Sequence, residues 1–269
     1  MRAKIPGLLR ILFIGDIVGK PGRRAVKELL PKLVGSEQVD FTIANGENGA
    51  GVAGLTPKVA DELLGTGIDI LTSGNHIWKK KEIESYLAES ARLIRPANYP
   101  DGVVGRGHTV GNTARGTAVG VINLEGRVFM SPLECPFRTG KELISRLSKE
   151  TPIIIVDFHA EATSEKQALG WYLDGLSTAI VGTHTHVQTA DEQVRPSGTA
   201  YITDVGMTGA TDSVIGIRKE EAIAQLISQT PQKFTAAKGG LQLQGVILDV
   251  APETGRAEAI ERVCLNVDG

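Results

Sequence analysis

Apolar residues in this chain gather into short, nearly unbroken runs closed by glycine and polar residues, and between the runs they space out at helical intervals. Runs of this kind read as strands covered on both faces, so the alternation predicts an α/β fold. The first run, residues 8–14, ends at Gly15-Asp16-Ile17-Val18-Gly19. Pro21-Gly22 then opens a helical spacing through Val26, Leu29, Leu30 and Leu33, which Pro31 should kink or shorten. Residues 39–44 form a second strand and run into Asn45-Gly46-Glu47-Asn48, a polar cluster that needs something charged nearby. Thr56-Pro57 supplies an N-cap with proline at the first helical position, for a helix ending near Gly65 or Gly67. A third strand, 68–72, leads into Ser73-Gly74-Asn75-His76.

A short charged helix is expected over 79–90. Prolines and glycines through 95–116 then mark a loop or hairpin, so the chain reads as a single domain, 1–269, with a small cap-like insert at about 91–138. Strand-like 117–124 returns to the sheet. Thr139 with Glu142, and Ser164 with Gln167, have the capping-box spacing for two further helices, the first running to Lys149. Between them, 153–156 is a buried strand that emits Asp157-Phe158-His159-Ala160-Glu161. Another apolar run, Ala179-Ile180-Val181, ends at Gly182-Thr183-His184-Thr185-His186. Residues 199–203 make a strand before the glycine-bearing loop that starts at Asp204. From Lys233 the pattern alternates, with 241–250 and 257–267 flanking Pro252-Glu253-Thr254-Gly255 as a C-terminal antiparallel hairpin.

A chain of 269 residues can bury a large core. Its 29 basic and 31 acidic side chains leave a formal charge of -2, with no basic face for duplex nucleic acid and no polybasic run for an anionic membrane. Arg10 interrupts the N-terminal apolar run and no small-residue cleavage site follows, so 8–14 reads as a strand and not as a secretory signal. No segment approaches the roughly 18 apolar residues of a membrane span. Cys135 and Cys264 lack CxxC spacing and suit a reducing cytoplasm, where the protein is expected. Homo-oligomerisation is left open.

In open α/β sheets, ligands collect beyond the carboxyl ends of the strands. Strand ends here carry metal-ligand residue types each time: Asp16, then Glu47 with Asn48, then Asn75 with His76, then His159, then His184 with His186. Of the 5 histidines, only His108 lies elsewhere. Taken singly, each residue is explained as a cap, a turn residue or a satisfied polar side chain. Taken together, that account needs every strand end to place such a residue by accident. The set exceeds what one four-coordinate ion takes, so two metals are implied, about 3.5–4 Å apart and bridged by a carboxylate. Oxygen and imidazole donors without thiolate suit iron, manganese, zinc or cobalt.

Gly15-Asp16-x-x-Gly19, Gly46-Glu47-Asn48, Gly74-Asn75-His76, the isolated His159 and Gly182-x-His184-x-His186 resemble the calcineurin-like metallophosphoesterases. The longer strings 157–166 and 183–191 resemble the YmdB-type branch of that superfamily. Val18 stands where the broad superfamily's Asp-x-His has histidine, and Gly46-Glu47-Asn48 replaces its bridging aspartate motif; both departures match the branch. The resemblance implies a metallophosphoesterase sandwich of mixed β-sheets flanked by helices. It also implies that Asp16, Glu47, Asn48 and His186 hold one metal, and Glu47, Asn75, His159 and His184 the other, with Glu47 bridging. His76 would be the catalytic residue facing substrate. The implied cofactors are two divalent or trivalent transition metal ions, iron first, with manganese or zinc as alternatives. The implied reaction is attack by a metal-bridging hydroxide on a small phosphodiester, above all a 2′,3′-cyclic nucleotide. Chemistry agrees with the separate role of His76: a free imidazole exchanges its proton near neutrality, whereas a metal-bound one cannot donate from its ligating nitrogen.

Other functions would use similar residues. A phosphomonoesterase or nucleotidase fits the same ligands, as does a metal-binding regulatory protein acting through a partner. Gly49-Ala50-Gly51-Val52-Ala53-Gly54 also fits GxGxxG between a strand and a helix, with Asp69 about 20 residues on. Yet Asp69 opens its strand, where a ribose-binding acid should close one, and the histidines would then have no task.

Overall fold

The computed structural model describes residues 3–267. In chain order its first half contains β1 (Leu9–Ile14), β2 (Asp16–Ile17), α1 (Gly19–Glu37), β3 (Phe41–Asn45), α2 (Pro57–Leu64) and β4 (Ile70–Thr72). A 3-10 turn at Ile77–Lys79 precedes α3 (Ile83–Glu89), β5 (His108–Asn112) and β6 (Ala118–Glu125). The second half contains α4 (Pro136–Leu147), β7 (Ile154–His159), α5 (Thr163–Tyr172), β8 (Ala179–Thr183), β9 (Gln193–Val194) and β10 (Ala200–Ile202). It closes with β11 (Met207–Ala210), α6 (Lys219–Ser228), β12 (Leu241–Val250) and β13 (Ala257–Asn266).

These elements form two mixed sheets. One has the order β2-β11-β12-β1-β3-β4, with β13 also paired to β12; the other has the order β5-β6-β7-β8-β10-β9. In the first, β1 runs parallel to β3 and antiparallel to β12. In the second, β6, β7, β8 and β10 are parallel neighbours, and β5, from the 91–138 span, joins the edge antiparallel. The expected hairpin is β12 with β13.

Burial explains why the strands show no clean alternation. Ile11, Phe13 and Ile43 of one sheet meet Val121, Ile155 and Val181 of the other in a common core. Their neighbours Leu12, Ile14 and Ala44 face the opposite way, onto Val26, Leu30 and Leu33 of α1 and Leu63 of α2. On the second sheet, Ile122, Val156 and Phe158 do the same against Leu143 and Leu147 of α4 and Leu169 of α5. The layers are thus helix, sheet, sheet, helix. Each strand must be apolar on both faces, at roughly 1.5–3 kcal/mol per large side chain buried. Among the described residues, no helix is long and apolar enough to cross a membrane.

Several local expectations change. Pro31 neither stops nor shortens α1: it lies exposed, so the carbonyl it leaves unpaired can be hydrated while Val26, Leu30 and Leu33 hold the buried face. The helix expected over 79–90 is split, because the chain turns extended at Lys80 before Ile83 and Leu87 dock in the core. Neither capping box forms; α4 starts at Pro136 after Cys135, and α5 at Thr163 after Ala162, both without a side-chain cap. The Thr56 cap is present, its hydroxyl accepting from Val59 N at 3.3 Å. Asp69 accepts from Thr42 N at 2.7 Å, a backbone task that leaves no role for it at a ribose.

Candidate metal centre

The loops leaving β1, β3, β4, β7 and β8 converge where the two sheets meet, and they carry the expected donors with them. Asp16 opens β2, one residue beyond β1, Glu47 and Asn48 follow β3, and Asn75 and His76 follow β4. From the other sheet come His159, the last residue of β7, and His184 and His186 beyond β8. Nε2 of His159 lies 3.2 Å from Glu47 Oε1, 3.1 Å from Asn75 Oδ1 and 3.0 Å from His184 Nδ1. A second group lies alongside. His186 Nε2 is 3.7 Å from Asp16 Oδ1 and 3.5 Å from Asn48 Nδ2, and that same amide nitrogen donates to Glu47 Oε1 at 3.1 Å. Glu47 therefore faces both groups. Asp16, Glu47, Asn48 and His159 are buried.

Each imidazole has its outward nitrogen tied to an oxygen. His159 Nδ1 donates to Thr183 Oγ1 at 2.9 Å, and that hydroxyl donates onward to Asp157 Oδ1 at 2.7 Å. His184 Nε2 faces Glu161 Oε2 at 3.1 Å, and His186 Nδ1 donates to the Ile215 carbonyl at 3.0 Å. The inward nitrogens of His159 and His186 point at Glu47 and Asp16, and that of His184 faces His159 Nε2. This is how metal-binding histidines are held, their tautomer fixed from outside. His76 differs. Its Nδ1 is engaged inward, 2.9 Å from Asn48 Oδ1 and 3.4 Å from Glu47 Oε1, which leaves Nε2 free.

Backbone conformation is specialised here too. His184 and His186 have φ of 97° and 64°, a region that few side chains adopt. Asp16 Oδ2 accepts from His184 N at 3.1 Å, and Asp204 Oδ2 accepts from both the amide (3.0 Å) and the hydroxyl (2.6 Å) of Thr185 between them. Lys166 Nζ reaches that same Asp204 oxygen at 2.9 Å, and both partners are buried. On the opposite side Gly74 is obligatory, since a Cβ there would come within 2.2 Å of His159 Nε2.

The electrostatics ask for positive charge at the centre. Burial alone would raise the Glu47 carboxyl, but His159 and His76 outweigh it and hold it well below the usual range. Asp16 is lowered likewise, by His186 and His159 against its burial. Burial works to lower His159, yet Glu47, Asp16 and Asp157 hold it at about 9; burial and the facing His159 push His184 down to about 3. Asp16 Oδ1 is buried without a hydrogen-bond partner, so it keeps free lone pairs beside His186. Oxygen donors, imidazole nitrogens and this free carboxylate oxygen fit bound metal. Among the described residues, Glu47, His159 and His184 bring ligand atoms within 4.8 Å of one another.

Some contributors escape a reading of strand ends. Asp157 had a signal, a carboxylate inside an apolar strand and two positions before His159, hence on the same face. Its oxygens accept from Thr72, Thr183 and Asn45, and burial pushes it up to about 7. Asp157→Asn should weaken metal affinity by about 10- to 100-fold, read by competition against a chelator. Unchanged affinity would show that the Thr183 bridge carries no influence. Lys166 and Asp204 gave no local signal, since they are 38 positions apart.

A two-sheet sandwich with carboxylates, amides and imidazoles gathered at its strand ends has the layout of a metallophosphoesterase. The chain belongs to the YmdB-like protein family, whose model matches residues 12–263. It is 52% identical over 260 residues to a 2′,3′-cyclic-nucleotide 2′-phosphodiesterase of Bacillus subtilis (strain 168), covering 97% of this chain and 98% of that protein. A crystal structure of a novel phosphatase from Mycoplasma pneumoniae superposes with a TM-score of 0.90 at 36% identity, covering 96% of this chain and 94% of that one. A hypothetical protein from Thermus thermophilus superposes at 0.89 with 41% identity, covering 96% and 99%.

Proposed function

We propose that this chain is a dinuclear-metal phosphodiesterase that opens 2′,3′-cyclic nucleotides to monoesters, as the name of the B. subtilis relative describes for that protein. The observation that carries the reading is the set of three histidines, His159, His184 and His186, each fixed from outside so that its other nitrogen turns into the cluster, toward Glu47, His159 and Asp16 respectively. Asp16, Glu47, Asn48 and His186 would hold one ion, and Glu47, Asn75, His159 and His184 the second. Iron is the first candidate, manganese or zinc the next, since the donors include no thiolate. Such ions, when bound, supply deprotonated water at neutral pH and positive charge against the phosphoryl oxygens.

The residues of the chain do the rest. In the structure Asn48 Oδ1 faces His76 Nδ1 and its Nδ2 faces Glu47 Oε1; as a metal ligand Asn48 would present the amide in the flipped orientation, oxygen inward and N–H toward His76 Nδ1. That contact would keep the proton of His76 on Nε2. Hydroxide adds to phosphorus, the bond to one ribose oxygen breaks, and the His76 Nε2 proton goes to the departing oxygen. Cys135 and Cys264 are both free, which suits the reducing cytoplasm in which we place the enzyme.

Hydrolysis of bis-p-nitrophenyl phosphate with added manganese, beside a panel of 2′,3′-cyclic nucleotides and matching monoesters, tests this. Turnover should favour the diesters, and His76→Ala should cut kcat about 10²- to 10⁴-fold with the metal content kept. No turnover of any diester would overturn the reading. Preference for monoesters would make the protein a nucleotidase.

A further inference from the structure

Beside the histidines lies a cavity of about 250 Å³ lined by two kinds of residue. Glu47, His76, Glu161 and the 184–186 segment are polar. Val18, Val52, Ile215 and Ile217 are aliphatic. Ile215 is 47% exposed, although nothing in the fold obliges an isoleucine to stand there.

The backbone under Ile215 makes the case stronger. Val214 and Ile217 exchange two hydrogen bonds of 2.9 Å, so Ile215 and Gly216 form a two-residue turn, with φ of 45° and 93°. A turn with both central residues left-handed favours asparagine, aspartate or glycine first; a β-branched residue there is strained. The turn cannot relax easily. Gly216 lies flat on Val18, where a Cβ would come within 2.8 Å of Val18 Cγ1, and the flanking amides of Arg218 and Ala237 tie the turn to 235–237. The carbonyl of Ile215 meanwhile orients His186. That carbonyl task needs no particular side chain, so the strained isoleucine must be explained by its side chain.

We infer that Ile215, with Val52 and Ile217, is the surface on which the nucleobase of the substrate lies. This rests on the phosphodiesterase reading above, which puts the phosphate at the histidines and so sends the base along the cavity. A flat ring laid against aliphatic side chains is held by burial of its face. These side chains offer no donor or acceptor to its edge, so the site selects for a ring and not for a particular base.

Ile215→Asn tests this, because asparagine suits the turn and keeps the carbonyl. The quantity to measure is the ratio of kcat/KM for 2′,3′-cyclic AMP to that for ethylene phosphate, a cyclic diester without a base. In the wild type this ratio should be well above one and similar for the four bases. In Ile215→Asn it should fall about tenfold, while the melting temperature stays level or rises. Val52→Ser, which leaves the turn intact, should lower the ratio about threefold. An unchanged ratio in both variants, or a wild-type ratio near one, would overturn the subsite while leaving the phosphodiesterase standing. A lower melting temperature in Ile215→Asn with no change of ratio in Val52→Ser would make the isoleucine structural. Failure of the wild type to hydrolyse either compound would remove the parent reading, and the subsite with it.

Discussion

Glu47→Gln is expected to abolish diester hydrolysis, by at least about a thousandfold, and to lower the metal content from about two ions per chain to one or none. The amide keeps the shape of the side chain and one acceptor oxygen but loses its charge. Glu47 Oε1 is the atom that faces His159 at 3.2 Å, Asn48 at 3.1 Å and His76 at 3.4 Å, while Oε2 accepts from the His76 amide at 2.9 Å. Elemental analysis of purified protein, paired with circular dichroism to confirm the fold, reads the result. Two ions retained with activity within tenfold of wild type would show that the ions share some other oxygen.

The second large effect is expected at a distance from substrate. Lys166→Met leaves Asp204 buried without its cation, a loss of about 3–5 kcal/mol. At roughly 2–4 °C per kcal/mol this lowers the melting temperature by about 6–20 °C. Activity should fall as well, because Asp204 also holds Thr185 between two left-handed histidines. Combining Lys166→Met with Asp204→Leu separates the two consequences. The double variant should regain most of the lost stability, since an apolar pair replaces a buried ion pair, and yet stay impaired in kcat. Full recovery of activity would show that Thr185 holds its place without the carboxylate.

That these residues gather in one place was legible in the sequence because of where they stand. Asp16, Glu47, Asn75, His159 and His184 each follow an apolar run that can only be a covered strand, and such strands deliver their ends to one edge of the fold. Their mutual support was not legible. Nothing in Thr183-His184-Thr185-His186 announces left-handed backbone, since no glycine marks it, and Asp204 and Lys166 reach it only through tertiary contact. Short pieces such as β2 and β9, two residues each, carry no periodicity to read. α6 passed unnoticed for another reason: Ile223, Leu226 and Ile227 are exposed and only Ala222 is buried, so it has no apolar stripe turned to the core. Pro31 misled because its effect on a helix depends on which side faces water.

The two sheets contribute unlike halves to the centre, carboxylates and amides from one, all three outward-tied imidazoles from the other. Neither sheet therefore carries the whole cluster, and on the proposed assignment ions held between them would act as a clasp across the seam of the sandwich. On that assignment, metal retention reports whether the two sheets are docked.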